Sequence, residues 1–73
     1  MAEHSNDLTK LVAVATDLGL VPKLRTQAIE LIGNISTPDA LRALLDLAAN
    51  EKLTKKEREL ALKQAREIIK SGP

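Results

Sequence analysis

Slid against itself by 33 residues, the 73-residue chain repeats its own pattern. Leu8 falls on Leu41, Leu11 on Leu44, Ala15 on Ala48 and Leu20 on Leu53. Lys23 falls on Lys56, Arg25 on Arg58, Ala28 on Ala61 and Ile35 on Ile68. Val12/Leu45, Val14/Leu47 and Ile29/Leu62 are near matches. Two amphipathic helices match some apolar positions by chance, but not a loop leucine, a loop lysine and an arginine in register. The chain therefore reads as a duplication, with each unit too small to bury its apolar face alone. Repeat one covers about residues 5–36 and repeat two about 37–70, within a single domain spanning 1–73.

Each unit reads as two helices. The first helix is expected over residues 6–18, with Ser5 or Asn6 as its cap and Asp7 at the positive end of the dipole. Leu8, Leu11, Val12, Ala15 and Leu18 form its stripe, and Gly19 supplies a left-handed stop. Pro22 suits the first turn of a second helix, because its missing N–H has no helical partner there. Leu24, Ala28, Leu31, Ile32 and Ile35 run along its apolar side.

Thr37-Pro38-Asp39 is a start signal made of a hydroxyl cap, a first-turn proline and an acid. It opens a third helix with the stripe Leu41, Leu44, Leu45 and Ala48. Thr54 and Glu57 have capping-box spacing and open the fourth. That helix carries Ala61, Leu62, Ala65, Ile68 and Ile69 and stops at Ser71-Gly72-Pro73. Gly33 falls inside the second helix, where glycine costs about 1 kcal/mol against alanine. Close approach of a neighbouring helix is the first explanation for it, and a ligand or kink site the second.

The second-helix text "LRTQAIELIGNI" resembles the second helix of a HEAT repeat or its armadillo-type relatives, at Arg25, Ala28, Ile29, Ile32, Gly33 and Ile35. "ERELALKQAREI" follows it less fully at Arg58, Ala61, Leu62, Ala65 and Ile68, with Arg66 where the first unit has Gly33. The turn "STPDAL" resembles the usual inter-repeat turn. The resemblance implies an all-α fold: four helices in a short HEAT-like α-solenoid, or a compact four-helix domain. It also implies that Arg25 and Arg58 pair with an acid or with carbonyls of a neighbouring repeat; a phosphate or partner contact is the alternative role. An ordinary bundle, with the repeat a relic of duplication, is the competing architecture.

Composition narrows the chemistry. There is no Phe, Tyr, Trp or Cys, so the core is aliphatic and neither a disulfide nor a thiolate metal site is possible. His4 is the sole histidine, in a polar leading segment. Glu30, Asp46, Glu59 and Glu67 are scattered over polar helix faces, and no glycine-rich loop cradles phosphate. No catalytic residue, metal ligand, cofactor or small-molecule substrate is expected. Asn34-Ile35-Ser36 matches a glycosylation sequon, for which a helix end is the simpler account. The leading residues lack the pattern of a signal peptide, and no apolar run approaches the roughly 20 residues a bilayer requires. A cytoplasmic protein that does not enter membranes is the expectation.

Interaction with another protein, or self-association, is the leading functional expectation, because a two-unit stack leaves both ends open. Val14, Leu18, Leu47 and Leu60 lie off the main stripes and are the candidate contacts, although each can equally pack inside. Nucleic-acid binding is the alternative. The net charge is +1, but residues 51–73 hold seven basic against four acidic side chains. Lys52, Lys55, Lys56, Lys63, Arg66 and Lys70 make that candidate surface. Against it stand interleaved acids with ion-pair spacing (Glu59/Lys63, Glu67/Lys63, Glu67/Lys70) and the absence of stacking aromatics.

Overall fold

Helix-start chemistry and apolar spacing give four helices in the computed structural model, which describes residues 2–71, with side chains from Asp7 onward. They are α1 (Ala2–Ala15), α2 (Pro22–Ile35), α3 (Pro38–Ala48) and α4 (Lys55–Ser71). The described residues are all helix and connecting turn.

Three of the four starts follow from local chemistry. Pro22 and Pro38 occupy first-turn positions, and the Thr37 hydroxyl accepts from the Ala40 amide at 3.1 Å. At α4 the box closes in both directions. The Glu57 amide donates to Thr54 Oγ1 at 3.2 Å, and the Thr54 amide to Glu57 Oε1 at 2.9 Å.

The first helix departs from its expected bounds. It begins at Ala2, so Ser5 and Asn6 lie within it rather than ahead of it. It ends at Ala15, three residues early, because polar side chains capture the backbone beyond. Thr16 Oγ1 donates to the Val12 carbonyl at 2.9 Å, and Asp17 Oδ1 accepts from the Gly19 amide at 2.9 Å. Leu18 and Gly19 therefore sit in a turn, and Gly19 does not adopt the left-handed conformation. Ser36 adopts it instead, with φ of 57°, at the end of α2, where its hydroxyl donates to the Gly33 carbonyl at 3.0 Å. His4 lies in α1 with its side chain outside the described set, and Gly72 and Pro73 lie outside the described residues.

Each hairpin is antiparallel. The middle of α1 (Asp7, Lys10, Leu11) lies beside the end of α2 (Leu31, Asn34, Ile35), and the end of α3 (Ala48) beside the start of α4 (Lys55, Arg58). Between hairpins the alignment is parallel. Arg25 meets Glu57 and Gly33 faces Gln64, so α2 and α4 run side by side; Leu8 to Thr16 and Asp39 to Asn50 line one groove, so α1 and α3 do too. The α2–α4 pair is packed closely, whereas α1 and α3 splay and leave a groove of about 410 Å³.

The core is Ala15, Ala28, Ile29, Ile32, Ala40, Leu44, Leu47, Leu53, Ala61 and Ala65. Half of it is alanine, which lets the helix axes approach where no aromatic ring is present to hold them apart. The radius of gyration, 11.2 Å, is that of a closely packed domain of this length, about 11 Å.

Candidate interaction surfaces

The contact between the hairpins is built on Arg25 and Glu57. Arg25 Nε donates to Glu57 Oε2 at 2.9 Å, and its Nη2 lies 2.8 Å from the same oxygen. Its Nη1 donates to the Leu20 carbonyl at 2.6 Å and reaches the Asp17 carbonyl at 3.4 Å. All three guanidinium nitrogens are thus engaged, which a cation 6% exposed requires. Glu57 is 1% exposed. Burial is the strongest single influence on its carboxyl and works against the charge. The Thr54 hydrogen bonds and the Arg25 guanidinium together outweigh it and hold the pKa below its ordinary value. The closed pair sets the register of one hairpin on the other.

Two turns along, Gly33 opens the same interface. A Cβ built on it would collide with the end of the Gln64 side chain and lie 3.1 Å from Gln64 Cβ. The glycine is the close-approach point between α2 and α4.

Outside that interface the candidates separate. Of the expected contact residues, Leu47 is 2% exposed and belongs to the core. Val14 and Leu60 are partly buried and pack against it. Only Leu18 is open, 53% exposed in the α1–α2 turn. The bare apolar side chains are instead Val21, Leu24, Leu31, Leu45, Leu62 and Ile69, most of them members of the expected core stripes. The reason lies in the stack. A helix between two neighbours buries both flanks of its apolar band, and a helix at the end buries one.

Register shows which flank is bare. Arg25, Ile29 and Gly33 face α4, while Glu57 and Gln64 face α2. Thirty-three residues before Glu57 and Gln64 stand Leu24 and Leu31, on the side of α2 away from α4. They are exposed, and Leu31 borders an open groove of about 780 Å³ with Lys10, Leu11 and Ile35. At the other end Leu62, the counterpart of Ile29, borders a shallower groove with Ala48, Lys55, Arg58 and Glu59.

The basic candidates Lys52, Lys55, Lys56, Lys63, Arg66 and Lys70 are all exposed. The acids spaced to pair with them do not close: among the described residues Arg25–Glu57 is the ion pair within 4.0 Å. Solvated side chains at a helix surface gain little from closing such pairs. Arg58 differs from Arg25 in its partners, because its Nε is buried and meets no acceptor. Glu30, Asp46, Glu59 and Glu67 are exposed and apart, and among the described residues no three metal-ligating side chains come together. Nor, among them, is any helix long and apolar enough to cross a membrane. Compared with family models, curated proteins and solved structures, the chain finds no match in any of the three.

Proposed function

We propose that this chain is a small non-catalytic helical-repeat module of HEAT type that acts by binding another protein or a second copy of itself. The supporting observation is the pair of bare end faces. Leu24 and Leu31 are 43% and 50% exposed on one end, and Leu45 and Leu62 are 45% and 39% exposed on the other. At the equivalent positions inside the stack Glu57 and Ile29 are buried, and Gln64 and Val12 are partly buried. Covering the exposed remainder of each bare leucine is worth about 1 kcal/mol, roughly half the value for a whole leucine side chain, so a partner helix laid on either end has a ready driving force.

The test is light scattering combined with affinity capture, on the unaltered chain and on L24Q/L31Q and L45Q/L62Q. Association that one pair of substitutions removes, without change in the unfolding transition, is the expected result. A chain that stays monomeric and retains no protein sensitive to either pair would defeat the proposal.

One observation supports nucleic-acid binding as a second reading. Lys55, Lys56, Lys63, Arg66 and Lys70 fall within an arc of about 100° on α4 at helical spacing, with no ion pair closed among them. Glu59 shares that arc and weakens it. Affinity for a short duplex that falls steeply with salt would favour this reading; a flat response would remove it.

A further inference from the structure

At the end face of the second hairpin, Arg58 is a donor with nothing to meet. It stands 33 residues after Arg25, and Arg25 shows what such an arginine takes in this fold. It takes the carboxylate at the third position of the helix next along the stack and a carbonyl of its own loop. Arg58 has neither: its Nε is buried and unpartnered. Glu59 borders the same groove, but adjacent residues on a helix do not face each other. Leu62 lies one turn further on. Leu45 belongs to the same side, being the counterpart of Val12, which faces α3 across the groove between the first helices.

We propose that this face, centred on Arg58 and Leu62, docks a partner helix that carries a carboxylate in its first turn. That carboxylate meets Arg58 as Glu57 meets Arg25, and an apolar side of the helix covers Leu62 and Leu45. The inference rests on the interaction-module reading and adds the partner's chemistry. Arg66 stands where Gly33 admits Gln64, so the docking helix carries a small residue or an acid at that level. A second copy continuing the stack head to tail does not fit, because it brings Leu24, the counterpart of Glu57, to Arg58.

The probe is the chain's own second hairpin. The full chain is extended in the 33-residue register, with a copy of residues 36–71 following Ile68 and Gln64→Ala in the copy to leave room for Arg66. In the extended chain, R58M is expected to lower Tm by about 15 °C. Glu57→Gln in the copy lowers it by about 10 °C, and the two together cost less than the sum. In the unextended chain R58M leaves Tm unchanged or raises it, because an unmet donor is removed. An extension made from residues 3–35, which places Leu24 opposite, shows no loss on R58M.

The proposal is overturned if the two substitutions act independently, or if R58M costs as much opposite Leu24 as opposite Glu57. It is also overturned if a short DNA duplex binds the unextended chain and R58M abolishes that binding, which would give the face to phosphates. Light scattering and capture with L24Q/L31Q read the wider interaction function at the opposite end, so either reading can fail alone.

Discussion

Glu57 holds two elements with one carboxylate. Oε1 accepts from the Thr54 amide and closes the start of α4, while Oε2 takes Nε and Nη2 of Arg25 from α2. A residue that begins a helix thus also fastens the first hairpin to the second. A change at this position is felt in both.

Removing one partner of a buried pair strands the other. R25M leaves the Glu57 carboxylate unpaired and is expected to cost about 3–5 kcal/mol. E57Q keeps an acceptor for the Thr54 amide and costs about 2 kcal/mol, near the worth of a hydrogen bond to a charged group. R25M/E57Q then costs less than the sum of the two, because the second change removes a group already without a partner. Urea unfolding of the four chains measures this, and strict additivity would show that the two residues do not act as a pair.

The same pair makes stability depend on acid. The Glu57 carboxyl is held below its ordinary value of 4.5 in the folded chain, so the folded state binds the proton less readily than the unfolded state. The stability it contributes is complete above the unfolded value and is lost as pH falls through the folded one. Unfolding free energy is therefore expected to drop below about pH 5, and E57Q to flatten that drop. A chemical-denaturation series from neutral to acid pH reads the slope; equal slopes for the two chains would contradict the assignment.

Gly33→Ala sets helix propensity against space. Alanine gains about 1 kcal/mol over glycine inside a helix, but its Cβ enters the position Gln64 fills. Overpacking of this kind costs about 1–3 kcal/mol, so G33A is expected to destabilise. In a Q64A background the end of that side chain is gone, and G33A should cost less. Thermal unfolding of the four chains decides it, and an equal cost in both backgrounds would show that Gln64 is not the obstacle.

Burial, rather than hydrophobicity, ranks the leucines. Leu47 is 2% exposed and Leu18 53%, so L47A is expected to cost about 2–5 kcal/mol and L18A within about 0.5 kcal/mol. Circular dichroism melts of the two variants separate them at once.

Much of the fold is legible because its signals are local. Thr37 with Pro38 and Thr54 with Glu57 satisfy backbone groups within four positions of themselves, so spacing alone locates the starts of α3 and α4. The bounds of α1 were less accessible. Its end depends on whether Thr16 and Asp17 extend the helix or capture its backbone, and these side chains can do either. The candidate contacts were harder still. Leu45 belongs to the expected stripe of α3 and Leu47 lies off it, yet Leu47 is core and Leu45 is bare.

The chain's own pattern specified four helices in two similar hairpins, an aliphatic core, and Arg25 and Arg58 in equivalent positions. Tertiary packing alone decided that Arg25 is met by Glu57 while Arg58 is met by nothing, and that Leu24, Leu31, Leu45 and Leu62 are left in the open. Periodicity fixes the direction in which a side chain points along its own helix. Whether a neighbour stands there depends on which helices lie beside it, and at the ends of this stack one flank of each apolar band has none.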